Sequence, residues 1–177
     1  MKRIKYIELL IIPLIFVLVW FGIKCYKTPG ISSGIPAPNF RSVTPAGDSL
    51  GLNDLKKYWV LIDFWGSWCG PCRSANKQLV ELYNIYKTKE FIDAKGFTIL
   101  SVGIETDKEK WMNAIKNDGL EWPHHVSSLD RFNDPVASLY GIREIPATIL
   151  VSPNGNILGI NLSYNQINAQ LSKSLKK

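Results

Sequence analysis

The feature that most restricts how this chain can fold is a short apolar run that ends shortly before a pair of cysteines. Residues 60–65 read Val-Leu-Ile-Asp-Phe-Trp, which is typical of a β-strand covered on both faces. From Cys69 to about Tyr86, apolar side chains recur at helical spacing. A covered strand that leads into a helix indicates an α/β domain in which helices pack on a sheet.

The rest of the chain continues this alternation of strands and helices. Two short strands are predicted around the turn Pro45-Ala-Gly-Asp48, and further strands are predicted over 97–104 and 124–128. Short helices are expected after Asn53, which would cap a helix through Tyr58, and after Asp134-Pro135, before Gly141. Between the two later strands, a capping box formed by Thr106-Asp-Lys-Glu109 predicts a helix with Trp111, Met112 and Ile115 on one side.

The C-terminal part has the pattern of a hairpin followed by a helix. Two β-rich runs, 147–151 and 157–162, surround Ser152-Pro-Asn-Gly155. Another capping box, Ser163-Tyr-Asn-Gln166, begins a last helix that carries Ile167, Leu171 and Leu175. The predicted fold class is therefore an α/β sandwich with a mixed sheet.

The N-terminal residues predict a membrane anchor over 1–27. Lys2, Arg3 and Lys5 precede the uncharged stretch 9–23, which is close to the roughly 17 residues that a spanning helix requires. A cleaved signal peptide would look similar, but no A-x-A-like site follows, and Lys24 rather than a small residue precedes Cys25. By the positive-inside rule, the basic end stays in the cytoplasm and the domain faces outward.

Composition separates a tether from the folded domain. Residues 28–38 are rich in Pro, Gly and Ser and are predicted to be a linker, so the domain is expected over 39–177. Of the net charge of +6, +4 falls within residues 1–27, so the remainder is close to neutral and contains no basic run. Because nucleic-acid binding depends on clustered Lys and Arg, no nucleic-acid partner is expected.

The Cys69-Gly-Pro-Cys72 segment indicates thiol chemistry. Cys69 is predicted at a helix N-terminus, where unpaired N–H groups and the helix dipole favour the thiolate, which is the nucleophilic form. Cys72 follows one turn later, within reach of Cys69, and Arg73 is expected to add a positive charge nearby. The same spacing would also suit a static disulfide or half of a zinc site, for which only Cys25, His124 and His125 remain as further ligands. A redox site is favoured, with no metal and no cofactor.

These residues resemble a known family. The pattern Asp-Phe-Trp-x-x-Trp-Cys-Gly-Pro-Cys resembles the active-site signature of thioredoxins. The region from about Phe40 to Leu175 is similar to the membrane-anchored thioredoxin-like oxidoreductases of bacteria, the TlpA/ResA type, whose superfamily includes the alkyl hydroperoxide reductase/thiol-specific antioxidant proteins. Segments 34–40, 141–148 and 152–155 also carry the match. The resemblance implies a thioredoxin fold with a mixed central sheet flanked by helices, an N-terminal β-hairpin and a central helix–strand insertion.

The resemblance also implies roles for particular residues. Cys69 and Cys72 would form the redox-active disulfide, and Asp63 would transfer a proton with Cys72, although this aspartate could simply form a hydrogen bond to a backbone turn. The Ile145–Pro146 bond would be cis and face the cysteines, and Ile145 would pair with an extended client. Trp68 would flank the site, Glu144 would tune docking or be a solvated charge, and His124 and His125, which could titrate near neutrality, receive no role.

The expected function follows from these roles. The chain is expected to be a single-pass protein of the bacterial inner membrane whose periplasmic domain reduces protein disulfides with electrons from a membrane thiol donor. Cytochrome c maturation is one pathway in which the family acts. The alternatives are a peroxiredoxin-like thiol peroxidase, whose usual T-x-x-C pattern has no Thr here, and a tethered binding module with a permanent disulfide.

Overall fold

The architecture is a five-stranded mixed sheet packed between two layers. The computed structural model describes residues 12–20, 22 and 31–176. The strands are β1 (Arg41–Val43), β2 (Ser49–Gly51), β3 (Tyr58–Trp65), β4 (Gly96–Gly103), β5 (His124–Val126), β6 (Ala147–Val151) and β7 (Ile157–Ile160). The α-helices are α1 (Gly70–Tyr86), α2 (Lys108–Asn117), α3 (Pro135–Leu139) and α4 (Tyr164–Lys173), with short 3-10 helices at Leu52–Leu55 and Arg131–Asn133.

The order of the strands places β3 at the centre of the main sheet. The order is β5-β4-β3-β6-β7, with β3, β4 and β5 parallel and with β6 and β7 antiparallel to their neighbours, whereas β1 and β2 form a separate hairpin. This arrangement confirms the predicted α/β class, the mixed sheet, the N-terminal hairpin and the inserted α2–β5 unit. Because β3 is paired on both sides, the residues that follow it are held at a fixed edge of the sheet.

Alternate side chains of β3 enter two different cores. Val60, Ile62 and Phe64 pack with the hairpin and α3, whereas Leu61 and Trp65 pack with α1, α2 and α4. Seven of the eight β3 residues are buried. The sheet therefore divides the domain into two apolar layers, as expected for a strand covered on both faces.

The predicted anchor lies mostly outside the described residues. Residues 12–20 are helical, and their side chains are exposed. Among the residues that the structure describes, no helix has the length and apolar character needed to cross a membrane.

Part of the predicted linker lies against the domain. In residues 31–38, the Gly34 N–H donates to the Ile157 carbonyl at 2.8 Å, and the Ile157 N–H donates to the Ile35 carbonyl at 2.9 Å. The Ser33 hydroxyl donates to the Leu158 carbonyl at 2.6 Å, and Ile31 is buried. This segment, residues 31–38, is therefore joined to the outer side of β7 by backbone hydrogen bonds.

Several predicted caps are confirmed. The Asp134 carboxylate accepts from the Val136 and Ala137 N–H groups and begins α3, and Ser163 and Gln166 form the capping box of α4. The hairpin between β6 and β7 also forms as predicted.

Two caps and one core residue are predicted wrongly. The first 3-10 helix begins after Gly51, and Asp54 accepts from the Gly51 N–H, so Asn53 does not cap it. The N-cap of α2 is Asp107 rather than Thr106, because the Asp107 side chain accepts from the Lys110 N–H. Met112 is 46% exposed, because adjacent residues on a helix point in different directions and the side of α2 that faces the core carries Trp111 and Ala114.

Candidate active site

The two cysteines lie where β3 passes into α1. Cys69 is the N-cap of α1, and its Sγ accepts a hydrogen bond from the Cys72 backbone N–H at 3.2 Å. Cys69 and Cys72 form a disulfide with their Cα atoms 5.2 Å apart. Cys69 is 6% exposed and Cys72 is 1% exposed. Cys69 is thus the sulfur nearer to solvent, and the N–H group directed at it would stabilise a thiolate after reduction.

The sequence suggests that Arg73 places a positive charge beside Cys69, but in the structure this charge is paired with a carboxylate. The Arg73 guanidinium makes a two-pronged ion pair with Asp118, in which Nη2 donates to Oδ1 at 2.6 Å and Nε donates to Oδ2. A third nitrogen, Nη1, donates to the Ser67 carbonyl at 3.4 Å. Arg73 therefore braces the turn before Cys69, and its positive charge is balanced by Asp118.

Asp63 is a buried carboxyl in the middle of the central strand. It is 2% exposed and pairs in register with Ser101 of β4 and Thr148 of β6. Burial raises the pKa of Asp63 from 3.8 to about 7, and the Ser101 hydroxyl, which donates to Oδ2 at 3.4 Å, opposes that rise. Such a carboxyl can exchange a proton near neutral pH, which is the role that the resemblance to thioredoxins implies for Asp63.

A cavity connects Asp63 with the loop that precedes β6. The cavity has a volume of about 200 Å³, and its lining includes Asp63, Leu79, Pro146 and Thr148. The Ile145–Pro146 peptide bond is cis, as predicted, and the Ile145 carbonyl oxygen lies 4.0 Å from the Cys69 Sγ. Ile145 is half-buried and Pro146 is exposed, so this loop forms one side of the active-site surface.

Trp68 forms the other side of that surface. It is 45% exposed, and its Nε1–H donates to the Ile104 carbonyl at 2.7 Å. The Arg131 guanidinium carbon lies 4.9 Å from the centroid of the Trp68 ring, and the Phe132 ring meets it edge-on at 6.3 Å. An exposed tryptophan held in this way gives the site a rigid apolar wall beside Cys69.

Glu105 also belongs to this site, although no role is predicted for it from the sequence. It is 1% exposed and is the second residue after the end of the parallel strand β4. The signal that could have found it is its position, because the residues after neighbouring parallel strands meet at the same edge of a sheet. Glu105 and the cysteines both follow such strands.

The two histidines belong to β5, and burial lowers the pKa of each. His125 pairs in register with Ser101, stacks on Trp122 and is 6% exposed. Burial lowers the pKa of His125 to about 4 and also lowers the pKa of His124. The expectation that the histidines titrate near neutrality is therefore wrong for His125, which is neutral at pH 7.

The geometry has close parallels among known proteins. A sequence model of the family described as thioredoxin-like matches residues 57–157, a range that contains both cysteines and the cis proline. The chain belongs to the thioredoxin-like family. It is 31% identical over 130 residues to the thiol-disulfide oxidoreductase ResA of Bacillus subtilis (strain 168), a match that covers 73% of this chain and 67% of the relative. ResA of Bacillus anthracis is 29% identical over 144 residues, which covers 81% and 77% of the two chains.

Solved structures of thioredoxin-like proteins agree with this assignment. The thioredoxin domain of a thiol-disulfide oxidoreductase from Bacteroides vulgatus superimposes with a TM-score of 0.70 at 32% identity, over 80% of this chain and 99% of that one. A thiol:disulfide interchange protein from Bacteroides sp. superimposes with a TM-score of 0.69 at 33% identity, over 80% and 91%. The protein is a thiol–disulfide oxidoreductase of the TlpA/ResA type.

Proposed function

We propose that this thioredoxin-like protein reduces disulfides in exported proteins, with Cys69 as the attacking sulfur. The observation that carries the proposal is the place of Cys69 at the N-cap of α1, beside the exposed Trp68 and the Ile145 carbonyl. Cys72 lies deeper, so a client sulfur reaches Cys69 first.

The first step is attack on the client disulfide. The Cys69 thiolate bonds to one client sulfur, and the other client sulfur leaves as a thiolate. The client main chain lies along the 145–146 loop, where the Ile145 backbone pairs with it as an added strand. Ile145, Pro146 and Trp68 are therefore the proposed binding residues.

The second step is resolution by Cys72. The Cys72 thiol gives its proton to the Asp63 carboxylate and attacks the Cys69 sulfur. The bond between Cys69 and the client sulfur breaks, and that client sulfur leaves as a thiolate. Asp63 lies on β3 beneath α1, whose first turn carries Cys72. The cavity beside Asp63 then offers a route by which the proton reaches water. The enzyme ends as the Cys69–Cys72 disulfide and needs a thiol donor to restore it.

The proposed location is the bacterial inner membrane, with residues 1–27 as the anchor, 28–38 as the linker and the domain over 39–177 in the periplasm. The support is the apolar stretch 9–23 and the basic residues before it. Membranes from cells that express the full chain should retain it after alkaline extraction. Release into the supernatant, or a mature form that starts near Ile31, would contradict the anchor.

Trapping experiments test the proposed function. Cys72→Ser in the full-length protein should accumulate mixed disulfides between Cys69 and exported proteins, because the resolving sulfur is missing. Apocytochromes c, which carry paired cysteines, are the first clients to look for by mass spectrometry. Cys69→Ser is the matched control, and it should trap nothing. If Cys69→Ser traps the clients instead, the attacking and resolving sulfurs are reversed.

A further inference from the structure

One buried carboxylate holds the turn that leads to Cys69. The Ser67 backbone N–H donates to Glu105 Oε1, and the Ser67 hydroxyl donates to Oε2 at 3.0 Å. Glu105 is 1% exposed. Both oxygens of a buried carboxylate therefore bind one residue, which stands two positions before Cys69.

The main chain next to Glu105 fixes the same turn. The Ile104 N–H donates to the Trp65 carbonyl at 2.8 Å, and the Ile104 carbonyl accepts from Trp68 Nε1. Within the turn, the Cys69 N–H donates to the Gly66 carbonyl at 3.0 Å. The two residues that follow β4 thus hold the turn through both main-chain and side-chain contacts. The contact made by the Glu105 side chain is the one that carries a charge.

The charges around Glu105 come from three elements. Arg131, whose backbone N–H donates to the Glu105 carbonyl at 2.9 Å, lies on a 3-10 helix; Arg73 belongs to α1; and Asp107 precedes α2. Burial raises the pKa of Glu105, whereas the Ser67 hydrogen bonds and Arg131 lower it. Arg73 is paired with Asp118 and Arg131 stacks on Trp68, so Ser67 is the residue that holds both carboxylate oxygens.

We propose that Glu105 is a positioning residue for Cys69, which holds the 66–68 turn through Ser67 and disfavours the Cys69 thiolate through its negative charge. The inference rests on the proposed function only in taking Cys69 as the reactive sulfur. Destabilising the thiolate destabilises the reduced enzyme and makes it a stronger reductant. Glu105 would thereby favour the reduction of client disulfides over their formation.

Two substitutions in the full-length protein separate the charge from the contact. Glu105→Gln keeps the shape and an oxygen for the Ser67 N–H but removes the charge. Glu105→Asp keeps the charge but is one methylene shorter and draws away from Ser67. Glu109→Gln removes an exposed charge nearby on α2 and is the matched control.

The readouts are the rate of alkylation of Cys69 in the reduced protein and the redox equilibrium with glutathione. A unit charge about 10 Å away at an effective dielectric of about 20 changes an ionisation equilibrium roughly tenfold. Below pH 7, Glu105→Gln should therefore alkylate roughly tenfold faster, and its disulfide should be reduced by glutathione more readily. Glu105→Asp should not accelerate alkylation, but its turnover with a protein disulfide should fall.

The proposal is overturned if Glu105→Gln matches the wild type and Glu109→Gln in both readouts, or if it alkylates more slowly. It is also overturned if Glu105→Asp retains full turnover. Thermal melting establishes that each variant is folded; if Glu105→Gln is not, the Glu105→Asp turnover still decides the positioning role. Alkylation and glutathione equilibrium need no client, so a failure of client trapping would leave this inference standing.

Discussion

Replacement of Asp63 by Asn should stabilise the protein and should impair the enzyme. Asp63 is 2% exposed, and burial raises its pKa from 3.8 to about 7. A rise of about three units corresponds to about 4 kcal/mol of folding free energy lost when the carboxylate is charged in the folded state. Asn keeps the size and an oxygen for the Ser101 hydroxyl, but it cannot ionise.

The direction of the pH dependence follows from the raised pKa. Below pH 4 the carboxyl is neutral in both the folded and the unfolded states, so Asp63→Asn should change stability little. Between pH 4 and pH 7 the unfolded state loses the proton first, and the wild type becomes progressively less stable than the variant. Above pH 7 the difference should level off at about 4 kcal/mol, reduced by the cost of burying the Asn amide.

Activity should change in the opposite sense. If Asp63 takes the proton of Cys72, replacing Asp63 removes a general base. A general base accelerates a reaction by about 100-fold at the low end of the usual range. Turnover of Asp63→Asn should therefore fall at pH 7 and recover in part at higher pH, where the thiol ionises unaided.

Denaturant titrations and disulfide-reductase assays from pH 4 to pH 9 measure both effects. Asp93→Asn, which removes an exposed carboxylate, is the control and should shift neither curve. Superimposable pH–rate curves for the wild type and Asp63→Asn would refute the catalytic role. Equal stabilities at pH 8 would refute the reasoning from burial.

Three further predictions concern other parts of the domain. In the reduced protein, Cys69 should be alkylated at pH 7 much faster than Cys72, since Cys69 is at the helix N-terminus and Cys72 is buried; equal rates would contradict this. Trp68→Ala should slow the reduction of protein disulfides more than that of a small aromatic disulfide, because a protein client loses the apolar wall beside Cys69. Equal losses for the two substrates would show that Trp68 does not contribute to client binding. Asp134→Ala should lower the free energy of unfolding by about 2 kcal/mol, because the carboxylate accepts hydrogen bonds from Ser128, Val136 and Ala137. Urea denaturation measures this change, and an unchanged midpoint would refute the stabilising role.

The sequence predicts those parts of the fold whose determinants are local. The apolar run 60–65 predicts β3, and the pairs Asp134-Pro135 and Ser163–Gln166 predict helix starts that the structure confirms. One of the failures occurs where two adjacent polar residues compete to be the cap. Thr106 and Asp107 both suit an N-cap, and it is the Asp107 side chain that accepts the hydrogen bond from the Lys110 N–H.

The residues of the site also divide into those that a local sequence pattern predicts and those that depend on distant partners. Cys69, Cys72, Asp63 and Pro146 stand in a recognisable pattern, and the structure brings Asp63 and Pro146 to one cavity and sets Ile145 against Cys69. Arg73 and Glu105 depend on partners 45 and 38 residues away along the chain. No spacing rule within one sequence could have revealed that Arg73 is neutralised by Asp118 or that Glu105 binds Ser67.

The contact between residues 31–38 and β7 bears on how the domain avoids self-association. An edge strand whose N–H and C=O groups are unpaired is a template on which another chain can add. Here Gly34, Ile35 and Ala37 occupy hydrogen-bonding groups of Gly155 and Ile157 at that edge. A fragment that starts at Asn39 would uncover the edge and should dimerise or aggregate through it, whereas a fragment that starts at Ile31 retains its own protective strap.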